Sequence, residues 1–200
     1  MFLIFDNLSA TLIGIAVLLL LIIMQQRVQR VSAEQVMMYA ANQNILDFGK
    51  WIEEDMVNVG WGVTVGNGIS GIAQNDTIPT LTRQFVFDRK PNDSTAVETV
   101  QYQVIPVTLT SGMQVFTEIN GTDVPLWQVQ RIVGGVVTGE SAPYVTHFSI
   151  LLEDDLGQGV FALADAEQIS IEVAMAMPYG EDAYIPETHW GTTFGLLAAN

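Results

Sequence analysis

A chain of 200 residues with no cysteine has room for one domain of ordinary size and a further segment, held together without disulfides. The missing thiols exclude Cys-ligated zinc and thiol catalysis. The net charge of −15, from 22 acidic against 7 basic side chains, gives a surface that repels nucleic acid and anionic headgroups, so no nucleic-acid partner is expected.

From Leu8 to Met24 every residue is apolar or small, and Phe2 to Phe5 are apolar before it. About 20 helical residues cross a hydrocarbon core, so residues 1–24 predict a membrane helix. A signal peptide is the competing reading, but no Lys or Arg precedes the run and Gln25-Gln26-Arg27 is a poor cleavage site. Arg27 and Arg30 follow it. Taken literally, the positive-inside rule would place the C-terminal side in the cytoplasm, and a basic leader removed ahead of Met1 would reverse that. Asp6 interrupts the apolar run. Such a carboxylate is a functional candidate, because it is costly in lipid unless paired; it also suits an N-terminal helix cap.

Residues 25–60 continue the helical pattern as an amphipathic stalk. Val28, Val31, Met38, Tyr39, Asn42, Leu46, Gly49, Ile52, Met56 and Val59 recur at three- and four-residue spacings. No proline precedes Pro79, so the pattern predicts one helix to about Asn58, ended by Gly60 and Gly62. Residues 61–200 change period. Gly66 to Pro79 reads as a Gly- and Asn-rich loop. Alternating or β-branched runs follow at 84–88, 99–109, 113–119, 127–137, 145–153 and 169–177, separated by turn sequences such as Asn120-Gly121. The expected fold class is α+β: a long N-terminal helix, membrane half plus stalk, whose apolar stripe covers an antiparallel β-sheet head.

Three stretches carry a family resemblance. Phe2-Leu3-Ile4-Phe5-Asp6 resembles a mature pilin start, a Phe followed four residues later by an acid. Ile45 to Gly60, with Trp51-Ile52-Glu53-Glu54-Asp55-Met56 inside it, is similar to the close of the long helix in PilW-type minor pilins and J-type minor pseudopilins. Val145 to Ile150, Glu153-Asp154-Asp155-Leu156-Gly157, Ile169 to Val173 and the closing Trp190 to Phe194 resemble their last strands and acidic turn. The chain thus resembles the type IV pilin and type II secretion pseudopilin superfamily, with Asp6 where the family usually has Glu.

The resemblance implies a structural filament subunit. Its partners would be copies of itself or other pilin-like subunits, with the membrane before assembly. A prepilin peptidase would remove a leader, and Phe2 and Asp6 would be the assembly residues. It implies a single-pass protein of the cytoplasmic membrane, head outside, that enters an extracellular filament. The alternative is a membrane-anchored subunit of a virion or envelope complex that binds a partner without polymerising; such a head would more often follow a flexible linker.

Other chemistry is sparse. His147 alternates with apolar neighbours and reads as a strand-face residue, and His189 beside Trp190 reads as a loop residue. No nucleophile elbow, phosphate loop or HExxH pattern occurs, so no enzyme activity and no cofactor is expected. Glu153, Asp154 and Asp155 could offer hard oxygens to Ca²⁺, without EF-hand spacing; acidic turns are usually only solvated. Asn75, Asn92 and Asn120 stand in N-glycosylation patterns. Trp51, Trp61, Trp127 and Trp190 read as core or interface anchors.

Overall fold

The computed structural model describes residues 2–63, 66, 68–91, 96–119, 121–160, 162–176 and 187–196, without the side chains of 2–7 and 9. Helix α1 runs unbroken through Phe2–Met56. The chain divides into two compact units, Met1–Ala40 and Ala41–Asn200, so α1 contributes to both.

In the first unit most of the described helix residues are exposed. Every residue from Ala10 to Met24 is exposed, and the helix from Ala10 to Met56 holds a stretch long and apolar enough to cross a membrane.

In the second unit the end of α1 is one wall of the core. Ala41, Ile45, Phe48, Ile52, Met56 and Val59 are buried at spacings of three and four. This corrects the expected stripe: Leu46 is 51% exposed, while Ile45 and Phe48 face inward. The sequence reading took its phase from Met38 and Tyr39, which are exposed and belong to the first unit. Past Met56 the helix tightens, with Asn58 N–H donating to Asp55 O (3.0 Å) and Val59 N–H to Met56 O (3.2 Å). The Asn58 side-chain amide donates to the Glu54 carbonyl (2.6 Å), capping one of the last orphan acceptors. Gly60 then turns the chain at a φ of 72°. Its N–H donates to Asp88 O (3.1 Å), and its backbone lies so close to Gly68 that a Cβ on Gly68 would overlap it.

Ten strands follow among the described residues: β1 (Ile69–Gln74), β2 (Thr82–Arg89), β3 (Glu98–Pro106), β4 (Phe116–Ile119), β5 (Thr122–Pro125), β6 (Trp127–Val133), β7 (Val136–Glu140), β8 (Val145–Glu153), β9 (Gln168–Met175) and β10 (Thr188–Gly195). All pairings are antiparallel, in the order β1-β2-β3-β6-β8-β9-β10, with β7 also on β6 and β4-β5 a separate hairpin. The fold is therefore α+β, as the change of period predicts. β6 and β8 meet through one pair, Trp127 and Val145, which divides the sheet into two limbs. Ile150 N–H donates to Thr82 Oγ1 (2.9 Å) and ties β8 to β2.

Each limb sends alternate residues inward. Phe85, Phe87, Val100, Tyr102, Val129, Phe148, Ile150, Ile169, Ile171 and Val173 are at most 1% exposed and form one cluster with Ile45, Phe48, Ile52, Met56 and Val59 of the helix. The stalk stripe does cover the sheet.

Three strand expectations need correction. The stretch 66–79 is not all loop, because Ile69 to Gln74 pairs with β2 and places Ile69 in the core. The run 127–137 is a hairpin whose turn is made by Gly134 and Gly135, at φ of 58° and 84°. Of 113–119 only 116–119 is strand, Gln114 making an isolated bridge to Thr108.

Candidate functional site

Period two continues from the core into a polar cluster. Arg89 follows Phe85 and Phe87 on the inward face of β2, and Arg131 follows Trp127 and Val129 on that of β6. Tyr102 stands between them on β3. Above them, α1 presents Asp55, only 2% exposed, on the same face as Ile52, Met56 and Val59. Arg131 grips the Asp55 carboxylate with two donors, Nε to Oδ2 (2.6 Å) and Nη2 to Oδ1 (2.9 Å). Arg89 Nη1 donates to Oδ1 (2.5 Å), and the Tyr102 hydroxyl donates to Oδ2 (2.6 Å). Glu98 receives Arg89 Nη2 (3.4 Å), and Arg131 Nη1 donates to Thr138 Oγ1 (2.8 Å). Two guanidiniums against Asp55 and Glu98 make a neutral cluster.

Burial is the largest cause pushing the Tyr102 hydroxyl well above its ordinary pKa, reinforced by the Asp55 charge and its hydrogen bond. The hydrogen bond to Asp55 leads the causes raising Arg131, against the opposing effect of burial. Asp55 accepts four donor contacts on its two carboxylate oxygens. It joins α1 to β2, β3 and β6 and leaves little of the carboxylate free to act as a base or ligand. A cavity of about 400 Å³ opens beside it, lined by Trp51, Glu54, Asn58, Lys90 and Pro91 as well as the arginines.

Two tryptophans fix the helix laterally. The Trp190 ring of β10 fills the space over Gly49, where an added Cβ would lie 2.7 Å from it. The Trp51 ring in turn covers Gly139 of β7, where a Cβ would overlap it, and meets Phe48 edge-on at 5.7 Å and Tyr102 at 6.2 Å. Trp127 is buried, whereas Trp61 is 51% exposed.

The remaining sequence candidates do not converge. Phe2 and Asp6 lie in α1, but their side chains fall outside the described residues, as do Asn92 and Asn120 altogether. Asn75 Oδ1 accepts the N–H groups of Thr77 (2.9 Å) and Ile78 (3.0 Å) in the β1–β2 turn. Asp154 Oδ1 accepts those of Leu156 (2.9 Å) and Gln158 (2.8 Å), so it shapes the acidic turn. Among the described residues no three acidic or histidine side chains gather to hold a cation. His147 is a strand-face residue in β8. His189 lies in β10 rather than in a loop, because Thr188 to Gly195 pairs along the whole of β9. Its Nε2 is 3.4 Å from Glu187. Both histidines pair with Ala174, one from each side.

The Asp55 cluster was hidden in the sequence by its neighbours, since Glu53-Glu54-Asp55 looks like a solvated run. Two periodicities point to it. Asp55 falls at the helical spacing of Ile52, Met56 and Val59, and Arg89 and Arg131 fall on inward strand positions.

In the comparisons with known proteins, no family model, no curated protein and no solved structure matches the chain.

Proposed function

We propose that this chain is a structural subunit of a pilin-like filament, held in the membrane by the apolar half of α1 until it assembles. The observation that carries the reading is the helix itself. It is continuous through Phe2–Met56, with an apolar stretch from Ala10 to Met24 exposed on all sides and an end built into the head core. A binding head on a tether has no need of a stiff helix. A subunit that must pack its apolar segment against other helices does. The resemblance at residues 2–6, 45–60 and 145–194 supports the same reading, with Asp6 in the place of the family's acidic residue.

Asp6 has a physical role in this scheme. An unpaired carboxylate is strained in lipid or an apolar bundle, and a cation on an incoming neighbour relieves it. The resemblance makes that cation the neighbour's N-terminal amine, freed by a prepilin peptidase. The test is electron microscopy and immunoblotting of sheared surface material from cells expressing the chain or Asp6→Ala. The expected result is fibres containing the chain, and at least about a tenfold loss of them in the variant at an unchanged membrane level. Absence of this chain from any fibre, or normal fibres from Asp6→Ala, would sink the reading.

A further inference from the structure

On the first limb of the sheet the face opposite α1 has an unusual composition for so acidic a chain. Its central outward positions are Gln84 and Val86 on β2, Gln101 and Gln103 on β3, and Gln128 and Gln130 on β6, all half-buried. Gln84 pairs directly with Gln103, and Gln103 with Gln130, so three amides stand in one row across three strands. The next row is Val86, Gln101 and Ile132. No ionisable residue occupies these positions. Acids close the rows: Asp88 holds Ser70 and Thr99, and Glu140, paired with Gln130 at the end of the amide row, accepts from Gln130 (2.6 Å) and Gln128 (3.5 Å).

Two copies of a chain with a net charge of −15 repel wherever their acidic surfaces meet, and like charges forced together at an interface cost several kcal/mol. Contact between copies costs least through uncharged surface. A primary amide carries both a donor and an acceptor, so a face of amides is complementary to a second copy of itself in many registers. Gln101 shows the pairing within one chain, donating Nε2 to Gln103 Oε1 (3.2 Å). The interspersed Val86 and Ile132 add apolar area between the amides. From charge and self-complementarity together we propose that the outward face of β2, β3 and β6 is where the heads of neighbouring copies meet. This deepens the filament reading and rests on it: α1 supplies the apolar packing and the amide face the head-to-head contact.

The test uses the full-length chain in the membranes and surface material of expressing cells. A benzophenone side chain is placed at position 103, at position 76 on the acidic β1–β2 turn (Asp76 side chain 93% exposed) or at position 19 on the apolar helix. After illumination, products are identified by mass. The expected result is a dimer of this chain from position 103 and from position 19, with little from position 76. Adding Gln130→Glu should lower the yield at 103 about tenfold at low salt, and high salt should restore it. Self-products at 19 without any at 103 would overturn the head contact and leave the filament reading standing. A product at 103 containing a different protein, or one as strong at 76, would also overturn it. Self-products at 103 without any at 19 would keep the face and overturn the filament. No self-product at either position would remove both.

Discussion

Asp55 is a carboxylate in a place where a charge is costly, and its value depends on keeping all its partners. Asp55→Ala would leave Arg89 and Arg131, 18% and 11% exposed, facing each other with only Glu98, on Arg89, as an anion. Breaking a buried ion pair from one side costs about 3–5 kcal/mol, a large part of the stability of a domain this size. The head of Asp55→Ala is therefore expected to melt well below wild type by circular dichroism, and an unchanged midpoint would show that the cluster is not a structural tie. Tyr102 makes the cluster pH-sensitive in one direction. Its folded-state pKa lies above the unfolded value of about 10, so the folded state holds its proton more tightly. That stabilisation is present in full below the unfolded pKa and is lost as pH rises through the folded one. Chemical denaturation of wild type should show stability falling above about pH 10. Tyr102→Phe, at a cost of about 1 kcal/mol near neutrality, should flatten that alkaline slope; a variant with the same slope would refute the assignment.

The helix end is held as an element by shape as well as charge, through Trp190 over Gly49 and Trp51 over Gly139. Gly49→Val would push the Trp190 ring off the helix. Overpacking of this kind costs about 1–3 kcal/mol, so the head should lose that much and the tryptophan emission should shift to the red. Trp190→Ala should destabilise too, and the two changes together should cost less than their sum, since each removes the same contact; strict additivity would count against the clamp. The same elements show how far the sequence could be read. The helix, its end near Asn58, strand β8 at Val145–Glu153 and the antiparallel class follow from local periodicity and glycine placement, which one chain segment carries by itself. The stripe went astray at Asn42 and Leu46 because the mostly exposed helix before them offers apolar side chains on every face, and only packing selects Ala41, Ile45 and Phe48. β1 was missed because Gly68 and Gly71 read as loop, although Gly68 is there for close approach to Gly60. The Trp–Gly contacts join residues 49 with 190 and 51 with 139, and no local pattern encodes a partner that distant.

For the whole molecule, the question is where the chain can be cut. The first unit ends at Ala40, and among the described residues no buried core residue comes before Ala41. A fragment beginning at Ala41 keeps Ile45, Phe48, Ile52, Met56 and Val59, together with Asp55 and the glycine under Trp190. One beginning at Trp61 loses them all. Burying a large apolar side chain contributes about 1.5–3 kcal/mol, so five such residues approach or exceed the roughly 5–15 kcal/mol that separates a folded domain from its unfolded chain. The same cut leaves Arg89, Arg131 and Tyr102 without Asp55. Removing residues 1–40, by contrast, takes away the exposed apolar stretch from Ala10 to Met24, and this should leave a water-soluble head of unchanged fold. Fragment 41–200 is expected to be soluble without detergent, with a cooperative thermal transition and the near-ultraviolet circular dichroism of ordered tryptophans. Fragment 61–200 is expected to aggregate or to lack that transition. A cooperatively folded 61–200 would mean that the sheet closes its own core and that α1 is an attachment to the head rather than a part of it.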